Sequence, residues 1–109
     1  MATVRALLNL PKAARSGDIV EVRATVQHPM ETGFRVGSGG QMLPRDLVRR
    51  VECRYGGELV FAADLHPSVA ANPYLAFSLR ATSSGTLTVR WSGDQGFEHS
   101  ESARLNVTP

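Results

Sequence analysis

The sequence predicts an all-β chain folded as an immunoglobulin-like β-sandwich of about seven antiparallel strands. Apolar residues recur with a period of two along most of its length, turn-forming residues part the successive runs, and no segment keeps a helical period. At 109 residues the chain suits a single domain, residues 1–109, large enough for one core without staples. A small closed barrel is the alternative architecture.

The elements follow in order. In the first run Val4, Ala6, Leu8 and Leu10 share a face opposite Arg5 and Asn9, and Pro11 with the following RSGD ends it. The second, VEVRATVQH, points Val20, Val22, Ala24 and Val26 inward and Glu21, Arg23, Thr25 and Gln27 outward, the pattern of a strand with one wet face. Residues 29–44 make a long connection containing GSGGQ, and loops of that length in small domains are often functional. LVRRVECRY then places Leu47, Val51, Cys53 and Tyr55 on one parity, interrupted by Arg49. Gly56-Gly57 predicts a tight hairpin, because both glycines accept φ > 0. The chain returns with Leu59, Phe61, Ala63 and Leu65 inward, and HPSVAANP forms a second connection. Leu75, Phe77, Leu79 and Ala81 face inward next, then Leu87, Val89 and Trp91 after the TSSG turn, then Ala103, Leu105 and Val107 after GDQG.

Composition removes several classes of function. Twelve Lys+Arg against ten acids leave a net charge of +2, and aromatics are 6%, too few and too scattered for a nucleic-acid stripe. A modest positive patch is expected from RDLVRR (Arg45–Arg50) together with Arg54. One cysteine, Cys53, excludes an intrachain disulfide. The longest apolar run, LVFAA, is far short of a membrane helix, and the N-terminal residues have no signal-peptide pattern, so the chain alone reads as cytosolic.

Few residues carry a chemical signal. His28, Met30 and Met42 offer imidazole and thioether donors of the kind copper takes, which makes a periplasmic copper-binding sandwich the alternative reading. Cys53 shares the parity of Val51 and Tyr55 and reads as core rather than nucleophile. GSGG lacks the lysine and helix of a phosphate loop. His99 and Glu101 both fall on the inward parity, for which a frayed strand end or a bulge is the expected cause. Two connections that begin with His-Pro, HPMETGFR and HPSVAANPYLAF, have the chemistry of rigid loops flanking strands, suited to a docking surface.

The segments QHPMETGFR, LPRDLVRRVECRYGGELVFAADLHPSVAANPY and SGTLTVRWSGDQG closely resemble the SoxZ family of sulfur-oxidation proteins, over essentially the whole chain. The resemblance implies a subunit without catalytic activity or cofactor, paired as a heterodimer with a SoxY-like carrier whose cysteine, on a glycine-rich C-terminal arm, holds the sulfur intermediate of thiosulfate oxidation. Other Sox pathway enzymes would dock transiently; nucleic acid and membrane are not expected partners. It further implies a periplasmic location, reached by co-export with a signal-bearing partner. This chain ends in LNVTP with no such arm, and Cys53 sits where it cannot swing. The residues expected to shape the partner-binding surface are His28, Pro29, Met30, Glu31, Thr32, Gly33, Phe34, Arg35, His66, Asn72, Pro73 and Tyr74.

Overall fold

A computed structural model describes residues 5–66, 69 and 71–109. Val4 of the first predicted run and Pro67, Ser68 and Ala70 of the second connection lie outside the described residues. Eight strands form two packed sheets: β1 (Ala6–Asn9), β2 (Ala13–Arg15), β3 (Ile19–Val26), β4 (Val48–Tyr55), β5 (Glu58–Asp64), β6 (Tyr74–Arg80), β7 (Gly85–Gly93) and β8 (Glu98–Thr108). One sheet has the order β1-β3-β6 and the other β2-β8-β7-β4-β5. The predicted sandwich is therefore present, and all seven expected runs are strands.

The eighth strand was not foreseen. After β1 the chain crosses at Pro11 from the three-stranded to the five-stranded sheet, where Ala13, Ala14 and Arg15 pair parallel with Asn106, Val107 and Thr108. This corrects the all-antiparallel expectation at one pair. A strand of three residues is too short to show a period of two.

Between the sheets lies one core. Val20, Val22, Ala24 and Val26 of β3 face Val51 and Cys53 of β4, Leu87, Val89 and Trp91 of β7 and Leu105 of β8, all buried as their parity predicts. Burying a side chain of this size contributes about 1.5–3 kcal/mol. Phe61 of β5 and Phe77 of β6 stack across the sandwich with ring centroids 4.3 Å apart, joining the edge strands of the two sheets. Gly56 and Gly57 take φ of 59° and 86°, and Tyr55 opposes Glu58 across that turn.

Two bulges account for the places where parity fails. Against β7, Val48 pairs with Gly93 and Arg50 with Ser92, so Arg49 is an extra residue that turns out to solvent. Leu47 and Val48 are then both buried, and the apparent intrusion of Arg49 into the core parity disappears. Against β4, Phe61 opposes Cys53 but Leu59 opposes Arg54, which makes Val60 the extra residue. Leu59 consequently stands outward, 43% exposed, contrary to the inward expectation. The first bulge requires a glycine opposite it. Gly93 is in ordinary extended backbone, but a Cβ there would run into the Leu47 carbonyl oxygen and lie 2.8 Å from Val48 Cα. Gly93→Ala is accordingly expected to destabilise the fold by about 3 kcal/mol. Urea unfolding measures this, and a loss below about 0.5 kcal/mol, the range of an inert surface change, would show that the strands can part at no cost.

Candidate functional site

The two His-Pro connections meet. The His28 N–H donates to Asn72 Oδ1 (2.9 Å), and the Asn72 N–H donates to the His28 carbonyl (2.7 Å). Asn72 does so from φ 54°, a left-handed conformation that its short polar side chain tolerates. His28 is buried, with its ring edge-on to Phe97 at 4.8 Å between centroids. Its Nδ1 accepts the Met30 N–H at 3.0 Å. The neutral ring therefore carries its proton on Nε2, which faces Asp46 Oδ1 at 3.5 Å.

Met30 is the unusual member of this knot. It is buried at φ 53°, a conformation that costs a residue with a side chain on the order of 1 kcal/mol or more. Three contacts hold it there. Its N–H is taken by His28, its thioether sulfur accepts the Val48 N–H at 3.2 Å, and the adjacent Glu31 exchanges two 2.8 Å backbone bonds with Asp46.

Beyond that ladder pair the chain forms a hairpin arm, not the irregular connection expected for residues 29–44. Val36 pairs with Met42, the Leu43 N–H donates to the Arg35 carbonyl (2.8 Å), and the Gly37 N–H donates to the Gln41 carbonyl (2.7 Å). Gly33, at φ 93°, turns the chain into the arm. None of residues 34–45 is buried, and the arm presents Phe34 (83% exposed), Val36 and Met42 to solvent. The radius of gyration is 16.3 Å, against about 13 Å for a compact domain of this length, so part of the chain stands clear of a compact body.

At the root of the arm, acids lie beneath arginines. Glu31 binds Arg35, and Asp94 binds Arg49 (2.7 Å) and lies 3.5 Å from Arg45 while also accepting the Leu47 N–H (3.1 Å). The Glu31 and Asp94 side chains are 16% and 17% exposed, whereas Arg35, Arg45 and Arg49 are 66%, 57% and 43% exposed. The Arg49 guanidinium holds the Asp94 carboxyl below its ordinary value, and Arg35 does the same for Glu31. Arg50 and Arg54 belong elsewhere, on the outer face of the five-stranded sheet, paired with Asp64 and Glu52. The expected single positive patch is thus divided into two paired groups.

Of the residues singled out in the sequence, Pro29, Phe34, Arg35, His66, Asn72 and Tyr74 are exposed, and Glu31, Thr32 and Gly33 are half-buried. His28, Met30 and Pro73 are buried. A feature the sequence reading missed is a row across the outer face of the three-stranded sheet. Leu7 pairs with Thr25 and Thr25 with Tyr74, with Leu7 65% and Tyr74 62% exposed. Leu7 shares the outward parity of Arg5 and Asn9, which was the available signal. Beside the row opens a cleft of about 590 Å³ lined by Arg5, Leu7, Thr25, Gln27, Asn72 and Glu101.

The other chemical candidates resolve as structure. The copper alternative is not assembled, because His28 Nδ1 and the Met30 sulfur already accept backbone N–H groups and Met42 stands out on the arm, exposed to solvent. Among the described residues no three His, Cys, Asp or Glu gather to hold a metal ion. Cys53 is buried in the core, and burial pushes its thiol up to about 11, far from a reactive thiolate. His99 and Glu101 need neither fraying nor a bulge. The β7–β8 ladder is unbroken, and they pair with each other on the inner face at 2.9 Å, with His99 stacked 6.1 Å from Trp91.

A family model described as sulphur oxidation protein SoxZ matches residues 8–104. A search among curated proteins returns no match. Solved structures with the same fold include a superoxide reductase (neelaredoxin) from Ignicoccus hospitalis, 17% identical over 94% of this chain and 80% of that one, TM-score 0.72. They also include the sulfur carrier protein SoxY from Chlorobium limicola f thiosulfatophilum, 15% identical over 95% of this chain and 79% of that one, TM-score 0.68.

Two measurements check this geometry. Met30→Leu keeps the apolar bulk but removes the acceptor for the Val48 N–H, and is expected to destabilise by about 1–2 kcal/mol in urea unfolding. A neutral result would mean that the sulfur is mere filling. For Asp94, a carboxyl held below its ordinary 3.8 in the folded state contributes stability that is present above that value and lost as pH falls through the lower folded one. Asp94→Asn should therefore melt below wild type at neutral pH, with the two converging in acid; a gap that stays constant into acid would contradict the role of the charge.

Proposed function

The chain belongs to the SoxZ family of sulphur oxidation proteins, and from that membership we propose that it is the non-catalytic subunit of a SoxYZ carrier complex in thiosulfate oxidation. In this reading it binds and scaffolds a SoxY-like partner, and the partner's cysteine, not a residue of this chain, carries the sulfur intermediate. The single observation that carries the reading is the family match along residues 8–104. The complex works in the periplasm, exported with its signal-bearing partner, and other Sox enzymes visit it there.

The surface supports a scaffold. The outer face of the five-stranded sheet is covered by paired polar groups: Arg50 with Asp64, Arg90 with Glu98 (2.8 Å), and Thr88 with Ser102 (3.0 Å). A partner sitting there would have to desolvate ions that water already satisfies. The outer face of the three-stranded sheet instead offers Leu7, Thr25 and Tyr74, next to the knot that fixes the predicted loop residues. An aromatic and an aliphatic side chain exposed on a flat, rigid sheet are the ordinary anchors of a stable subunit contact. The partner-binding residues of this reading are thus the exposed Pro29, Phe34, Arg35, His66, Asn72 and Tyr74, with Glu31, Thr32 and Gly33 at the loop's base and His28, Met30 and Pro73 holding it from beneath.

Native mass spectrometry of this chain expressed with the neighbouring SoxY-like reading frame tests the proposal. The expected product is a one-to-one complex, with any sulfur adduct mapping to the partner's cysteine. A lone monomer that ignores the SoxY-like chain, or an adduct on Cys53, would overturn it.

A further inference from the structure

We propose that the hairpin arm is a clamp: Phe34, flanked by Val36 and Met42, inserts into an apolar cleft rimmed by carboxylates on the carrier subunit, as a contact separate from the three-stranded sheet face. This rests on the reading above that a carrier subunit is the partner.

Single exposed apolar residues are ordinary, but Phe34, Val36 and Met42 are three large ones on one short arm, each more than half exposed. The arm is also held in place. The Glu31–Asp46 ladder pair, the Val36–Met42 pair and the knot behind them fix its exit, so the aromatic is presented with little ordering left to lose on binding. Charge then selects the occupant. From Thr32 to Arg45 the only charged side chains are Arg35 and Arg45. The acids that pair with these and with Arg49, Glu31 and Asp94, are tucked inward, and the guanidiniums face out. An exposed aromatic on an arm whose charged side chains are all arginines is complementary to an apolar cleft with an acidic rim. The clefts described on this chain suit a second copy poorly, since each sets arginine with its single acid: Arg5 with Glu101 in one, Arg54 and Arg90 with Glu52 in the other.

The test is the affinity of the purified chain for the SoxY-like subunit, measured calorimetrically for wild type and three variants. Phe34→Ser should weaken binding about 30-fold or more, the loss that marks a hot-spot residue, with the melting temperature of the chain unchanged because the ring is exposed. Arg45→Gln should weaken binding at low ionic strength and match wild type at high ionic strength. Tyr74→Ser should weaken binding by a factor that multiplies with that of Phe34→Ser, as two separate contacts require. If wild type binds the carrier subunit and Phe34→Ser binds it equally well, the clamp is overturned and the subunit reading stands. If wild type does not bind it, both fall. If Phe34→Ser abolishes only self-association of this chain, the occupant is a second copy and the clamp on the carrier is overturned.

Discussion

The contact on which the rest of this molecule depends is the close approach of the Leu47 carbonyl to Gly93. No side chain separates the strands there, so β4 can bulge at Arg49 while Leu47 and Val48 both sink into the core. That bulge aims the Val48 N–H at the Met30 sulfur and the Leu47 N–H at Asp94 Oδ2, and the Asp94 N–H in turn donates to the Leu47 carbonyl (2.8 Å). Both ends of the long excursion between β3 and β4 are thereby tied to the sandwich within a few residues of each other. A strained residue such as Met30 persists only where its surroundings over-determine it, and here a ring nitrogen, a thioether contact and a two-bond ladder all do so. The arm is rigid at its root because β4 is irregular.

The two sheet faces differ in how their exposed side chains are paired. Exposed ion pairs such as Arg50–Asp64 and Arg90–Glu98 add little to folding stability. Their effect is on the surface: these charges are already paired, so burying them would gain little that water does not supply. On the three-stranded face the Arg23–Glu21 pair lies one row from Thr25, and the row of Leu7, Thr25 and Tyr74 has no charge at all. The asymmetry is of the kind that separates a solvent face from an interface core.

Most of the fold was legible in the sequence because a strand with one wet face writes its orientation into every second residue. Val20 to Val26, Leu87 to Trp91 and the Gly56-Gly57 turn fell where period two and turn chemistry put them. What could not be read were the events that break the period. An extra residue at Arg49 or Val60 reverses parity without any local mark; the first is accommodated by Gly93, far away in sequence, and the second shows only in the register of β5 against β4. β2 was too short to show a pattern. The site was legible as two loops of unusual chemistry, but not as one knot, because the bond from His28 to Asn72 spans 44 residues and the left-handed turn at Met30 is one that no propensity for methionine suggests.

The same fold is shared with superoxide reductases and with a sulfur carrier, so architecture alone does not choose a chemistry. Among the described residues, the side chains with the strongest chemical signal are taken up by the structure. The thiol of Cys53 is locked in the core with its ionisation opposed by burial, His28 has one nitrogen occupied by a backbone donor and the other turned toward a carboxylate, and the Met30 sulfur is the acceptor for a strand amide. Cys53 is spent on the core, and His28 and Met30 on holding the loops. The knot uses reactive residue types for shape, and what shape delivers to the surface is an apolar row on one sheet and an aromatic on an arm.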